Sequence, residues 1–190
     1  GIPLKQNTEI TGNLDFNSFF NPGYDLHVKA EEASFQLLFL DISGVSNLDL
    51  KIVGRDTVYV DGEIETMEAN VNYEFATEDI GTIIQNDDKN IFAYNLNIPI
   101  IGKSYFKNSQ IYAEVIGELN LAQVGNQEVD FGGQIIVEDG SVFSYKDNFE
   151  QLKGIVSFDN KGFNPSIDVS AQTMIDDERI DLSMRGGIDD

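Results

Sequence analysis

Most protein chemistry is carried by histidine, cysteine, serine and carboxylate side chains, and this chain supplies them unevenly. It has one histidine, His27, and no cysteine. Cysteine nucleophiles, thiolate zinc sites and disulfides are therefore excluded. Any Ser–His–Asp arrangement would have to be built on His27. That residue lies in a run where Tyr24, Leu26, Val28 and Ala30 alternate with Asp25, His27 and Lys29, which puts it on the polar side of a strand, at the surface. Neither a G-x-S-x-G elbow nor a glycine-rich phosphate loop occurs. Carboxylates are abundant, with 33 Asp and Glu, but abundance alone does not make a catalytic pair. Asp176-Asp177-Glu178 with Asp181, and Asp87-Asp88, are candidates for Ca²⁺, yet neither follows the D-x-[DN]-x-[DN]-G spacing. Both read as solvated acidic turns. No catalytic residue, cofactor or metal ligand is expected.

The elements must therefore be read for something other than catalysis. The chain has 190 residues, 41% of them apolar, with 13 Phe and 7 Tyr, enough to bury a sizeable core. Its formal net charge is −21 and its 12 Lys and Arg are scattered. Such a chain repels nucleic acid and does not lie flat on an anionic membrane. The longest apolar runs, Leu37–Leu40 and Ile98–Ile101, fall far short of the ~18 residues that a spanning helix needs. Because the chain begins at Gly1 and stops in mid-pattern at Asp190, it is expected to be a piece of a longer protein.

The dominant pattern has period two. Besides the Tyr24–Ala30 stripe, Leu48, Leu50 and Ile52 alternate with Asp49 and Lys51. Val58, Val60, Gly62 and Ile64 follow, then Val71, Tyr73 and Phe75. Ile111, Ala113, Val115, Gly117, Leu119 and Leu121 form the longest stripe. Ile135 and Val137, Val156 and Phe158, Ile167, Val169 and Ala171, and Ile180, Leu182 and Met184 complete the series. Alternation of this length argues half-buried antiparallel strands and an all-β fold. Turn chemistry is read at Gly44, Gly54-Arg55-Asp56, Gly125-Asn126, Asp139-Gly140 and Asn160-Lys161-Gly162, giving roughly a dozen strands. Thr77–Ile84 and Ala30–Leu40 are the two places where a helical turn is conceivable, so little or no helix is expected. The chain reads as one unit, 1–190, with a division into 1–86 and 91–190 at the polar break Asp87-Asp88-Lys89-Asn90. Alternation does not distinguish apolar stripes sealed in a sandwich from stripes lining an open trough.

A longer pattern does. Tyr105-Phe106-Lys107-Asn108 is followed by Gly117-Glu118-Leu119-Asn120-Leu121, Gly133-Gln134-Ile135, Gly140-Ser141-Val142-Phe143, Gly154-Ile155-Val156-Ser157-Phe158 and Asn164-Pro165-Ser166-Ile167-Asp168-Val169-Ser170-Ala171. In that order these segments resemble the C-terminal domain of the TamB family, large bacterial envelope proteins of the AsmA-like, bridge-like lipid-transfer class. Upstream, Ile42-Ser43-Gly44 and Asn47-Leu48-Asp49-Leu50 resemble the preceding unit of the same family. Tyr105 stands where a Trp is common, and the acidic balance is a second departure.

The resemblance implies a folded-over, elongated sheet, the β-taco, whose concave side is an apolar groove. About a dozen strands would give roughly 55 Å of it. The implied lining is Val58, Val60, Ile64, Val71, Tyr73, Phe75, Ile111, Ala113, Val115, Leu119, Leu121, Ile135, Val137, Val156, Phe158, Ile167, Val169, Ala171, Ile180, Leu182 and Met184. The implied role is a non-catalytic periplasmic conduit for phospholipid or another acyl-chain lipid, in a protein anchored in the inner membrane. The implied partner is an outer-membrane barrel of the TamA or BamA kind. A factor that assembles outer-membrane proteins, and a plain β-sandwich binding domain, are the alternatives.

Overall fold

Uninterrupted alternation builds long strands. The computed structural model describes residues 7–17, 21–37, 42–72, 91–125, 127–144, 147–159 and 165–187, which contain ten strands and no helix. They are β1 (Asn7–Asp15), β2 (Gly23–Leu37), β3 (Ile42–Gly54), β4 (Thr57–Val71), β5 (Ile91–Lys107), β6 (Ile111–Val124), β7 (Asp130–Ser144), β8 (Asp147–Asp159), β9 (Ser166–Ile175) and β10 (Glu178–Gly187). One sheet holds them all in chain order. Neighbours are antiparallel except β4 and β5, which run parallel. A parallel pair needs a crossover longer than a hairpin, and that connection lies outside the described residues. β1 and β10 are paired on one side only, so the sheet is an open one.

The described residues therefore have the expected all-β, antiparallel-rich fold without helix, in one sheet and not a two-sheet sandwich; Thr77–Ile84 lies outside them. The fold departs from the sequence reading at particular breaks. Gly44 and Asp139-Gly140 are not turns, because β3 and β7 run straight through them. The helical turn considered from Ala30 is strand as far as Leu37. The described residues hold ten strands, and at about 4.8 Å per strand their sheet is about 43 Å long.

What interrupts the strands is a line of bulges. Register slips between Ala30 and Ala33 in β2, and at Met67 in β4. It slips again at residues 101–103 in β5, beside Glu138 in β7, and between Glu150 and Lys153 in β8. Each strand pairs with its neighbour, so these slips lie side by side and cross the sheet from β2 to β8. A bulge bends its strand; bulges in register bend the whole sheet along one crease. Glu32 and Gln151, within the slips, take φ of 51° and 56°. The β2 bulge is held by Asn47, whose Oδ1 accepts from the Glu32 amide at 2.9 Å. Its Nδ2 donates to Glu65 at 2.8 Å.

The crease divides a strand into two arms. In β6 these are Ile111–Glu114 and Val115–Val124, reaching about 14 and 34 Å at 3.4 Å per residue. Small side chains collect where the arms meet. Ala30, Ser46, Thr66, Ala69, Ser104, Ala113, Val137, Leu152, Val169 and Ala171 are all buried. Across β6 to β9, Ala113, Val137, Leu152, Val169 and Ala171 form one cluster. Ile111, Val142 and Phe149 pack on it from the short arms, and Val115 and Ile167 from the long ones.

Glycine is required where the backbones crowd. Gly154 sits opposite Val169 with φ of 151°, and a Cβ there would stand 2.2 Å from the carbonyl oxygen of Asp168. Gly186 has a similar φ of 139° but open space around it. We expect Gly186→Ala to cost about 1–3 kcal/mol through backbone strain alone. Gly154→Ala should cost distinctly more, because β8 and β9 must also part. Urea unfolding of the two variants checks the order.

Candidate functional site: an apolar trough

Directly paired residues on neighbouring strands point to the same side of a sheet, so the register fixes which stripes join. Val58, Val60 and Ile64 of β4 align with Gly54, Ile52 and Leu48 of β3. Leu119 and Leu121 pair with Ile98 and Leu96 on one side, and with Gly133 and Phe131 on the other. Ile135 pairs with Val156, Val156 with Ile167, Val169 with Met184, and Ala171 with Leu182. Following these pairs, Val71, Ile111, Ala113, Val115, Val137, Phe158 and Ile180 fall on this side as well. Tyr73 and Phe75 lie outside the described residues. Every other residue of the sequence-derived lining stands on one face of the sheet.

The register adds residues that the lining lacked. Leu26 and Val28 in β2, Leu48, Leu50 and Ile52 in β3, and Tyr94, Leu96, Ile98 and Ile100 in β5 belong to the same face. The β5 stripe was legible: Tyr94, Leu96, Ile98 and Ile100 alternate with Asn95, Asn97 and Pro99. Pro99 hides it, because proline argues against a strand paired on both sides. Here it stands just before the β5 bulge.

This face is lined but not sealed. Away from the crease its large side chains, such as Leu50, Leu96, Leu119 and Phe158, are mostly half-buried, although Val58 beside the β3–β4 turn is buried. Towards the edges Ile10, Ile180 and Met184 are exposed. Among the described residues, the largest side chain that is fully buried is Ser46. In a closed β core, leucine, isoleucine and phenylalanine would fill that role. The chain exposes 13085 Å², against roughly 9,000 Å² for a compact monomer of its mass. The geometry is thus an open sheet with a packed strip along the bulges and an apolar, solvent-reachable face to either side of it, the candidate trough.

Charge is confined to the other face and the ends. On the outer side Asp49 receives His27 Nε2 at 2.5 Å and Lys29 Nζ at 3.0 Å. These hydrogen bonds, His27's first, hold its carboxyl below the usual range. His27 is accordingly a surface hydrogen-bond partner of Asp49. The outer face is not uniformly polar, since Ile101, Ile136 and Ile155 are exposed behind the crease. At one end Arg55 forms an ion pair with Asp15 and donates to the Asn21 carbonyl at 2.6 Å, tying the β3–β4 turn to the β1–β2 connection. At the other end Asn108 Oδ1 accepts from the amides of Gln110 and Ile111 at 2.9 and 2.7 Å, closing the β5–β6 turn. Asp176 and Asp177, with φ of 49° and 66°, form the tight β9–β10 turn. That is a type I′ hairpin, whose demand for positive φ accounts for the acidic pair. Among the described residues no three His, Cys, Asp or Glu side chains converge as a metal site requires.

The trough geometry sets an expectation for truncation. Leu152→Ala, in the floor, should cost about 2–5 kcal/mol, whereas Leu119→Ala, on an open wall, should cost about 1 kcal/mol or less. Chemical denaturation distinguishes this from a sealed core, in which the two costs would be alike.

No curated protein matches the chain. A protein family does, the TamB C-terminal domain, over residues 2–189. TamB proteins are envelope proteins of Gram-negative bacteria, in a non-enzymatic translocation and assembly module associated with the outer-membrane protein TamA. An open, creased sheet that carries no catalytic constellation among its described residues and matches that family over almost its whole length is a TamB C-terminal domain, and the chain belongs to that family.

Proposed function

We propose that this chain is a segment of a periplasmic conduit that carries phospholipid between the inner and outer membranes, with the trough as the path. The observation that carries the reading is a continuous apolar face, crossed by a line of bulges, whose large side chains no second layer of described residues covers; we read its two sides as the walls of the trough. An acyl chain gains ~0.8 kcal/mol for each CH₂ removed from water, on the order of 13 kcal/mol for ~16 carbons. A trough recovers much of that gain while leaving one side open. The ~30 Å hydrocarbon core of a bilayer makes one leaflet about 15 Å deep, so the ~43 Å sheet is about three chain lengths long. Walls of similar side chains from strand to strand present no deep well, and a tail slides along them. The headgroup rides at the open mouth. In this reading the protein is held at the inner membrane by residues outside this chain and meets a barrel of the TamA or BamA kind at the outer membrane, serving outer-membrane biogenesis.

The unpaired edges of β1 and β10 favour a second reading. An open edge accepts a further strand by main-chain pairing, and a client polypeptide of an outer-membrane assembly factor would add there. Photocrosslinkers at Leu119 and Leu182 distinguish the two, capturing lipid in the first reading and polypeptide in the second.

A charge on the wall should stop transfer without unfolding the sheet. We expect Val115→Lys or Leu119→Asp to lower lipid transfer between donor and acceptor vesicles roughly ten-fold or more, with strand content by circular dichroism unchanged. Undiminished transfer by such a folded variant would count against the trough.

A further inference from the structure

Among the described residues, the apolar face has almost no charge and no cation placed to meet a phosphate. Outside the bulges, every described position on the apolar face is uncharged except two at strand ends, Asp147, which begins β8 opposite Ser144, and Glu178, which begins β10. Of the described basic groups, Lys29, Arg55, Arg179 and Arg185 are each held by a carboxylate: Asp49, Asp15, Asp181 and Asp168. Lys51, Lys107 and Lys153 alternate with Leu50, Phe106 and Gly154 and so stand on the outer face. Lys103 lies in the β5 bulge. The described parts of the rims carry carboxylates, beside the ion-paired Arg55 and Arg179. Asp56 caps the β3–β4 turn, Glu128 and Asp130 lead into β7, and Asp176, Asp177 and Glu178 turn β9 into β10. The whole chain has a net charge of −21.

From this we infer that the trough selects phospholipids by headgroup charge, accepting zwitterionic lipids that carry an ammonium and disfavouring lipids with a net negative headgroup. The inference rests on the conduit reading and adds to it a cargo class. Sites that hold an anionic phosphate do so with arginine, lysine or a cradle of amides. Here a tail seated between the walls brings its headgroup to a rim of carboxylates. An ethanolamine headgroup places its ammonium against Glu128, Asp130 or the Asp176–Glu178 turn and leaves no net charge in the acidic field. A glycerol headgroup leaves the phosphate charge uncompensated along the whole ~43 Å path. The discrimination is electrostatic and so depends on salt, because the screening length shrinks from about 30 Å at 0.01 M to about 3 Å at 1 M.

The test offers the purified chain an equimolar mixture of phosphatidylethanolamine and phosphatidylglycerol with identical acyl chains, in mixed micelles, and counts the retained lipids by native mass spectrometry. At about 20 mM salt phosphatidylethanolamine should exceed phosphatidylglycerol roughly five-fold or more, and at about 0.5 M the ratio should approach one. A rim variant, Glu128→Gln with Asp130→Asn, Asp176→Asn and Asp177→Asn, should lose the low-salt preference while retaining as much total lipid. Asn tolerates the positive φ of the β9–β10 turn, so the hairpin is kept. Equal retention of the two lipids at low salt overturns the inference and leaves the conduit reading standing. Retention of neither overturns both.

Discussion

Among the described residues the sheet has no second layer against which to hide its apolar face, and this constraint governs the fold. Ten strands in chain order bring their aliphatic stripes into register on one side, and the sheet answers by bending on itself instead of recruiting a partner sheet. The bend is built from bulges in β2, β4, β5, β7 and β8. Along that line the residues are small enough for the arms to close, and there the structure buries Ala30, Ser46, Ser104 and Ala113. Farther out the walls diverge and the larger side chains stay half in solvent. Stability thus comes from the floor and from the backbone ladder, which leaves the walls free for a guest.

How much of this was legible depends on which physical signal carried it. Period two is a local consequence of the pleat, so the stripes of β3, β4, β6 and β9 could be read residue by residue. Bulges are not local in that sense. Gly44 and Asp139-Gly140 carry turn chemistry, but whether a chain turns or merely bulges is decided by the strand beside it. Gly44 lies opposite Ala69, and Gly140 opposite Ala113, so both continue the ladder. The crease comes instead from bulges at other residues, such as Met67 and Glu138, which no alternation pattern displays. Pro99 is accommodated in the doubly paired β5 just before the bulge at residues 101–103, where the ladder is disrupted. The parallel junction of β4 and β5 is likewise a property of how two antiparallel runs meet, with no residue of its own to announce it.

The segments that carried the family resemblance acquire physical reasons. Gly154 is glycine because β9's backbone lies where a side chain would go. Asn108 follows the aromatic–basic pair because its side chain closes the β5–β6 turn. Tyr105 stacks on Tyr112 across that hairpin with ring centroids 5.8 Å apart, work that another aromatic would do as well. These residues specify a creased sheet. The charge pattern is a separate layer, laid on the outer face and the rims, and it bears on what the trough admits more than on how it forms.

The central claim is that the two apolar walls stand apart and are wetted until a hydrocarbon chain lies between them. Methyl NMR with a water-soluble paramagnetic reagent measures this directly on Leu26, Leu50, Leu96 and Leu119. Without lipid these methyls should be broadened by the reagent, with the floor residue Leu152 shielded, and added phospholipid should shield the wall methyls too. Wall methyls as protected as Leu152 from the outset would mean that the walls already meet, and the account would fail.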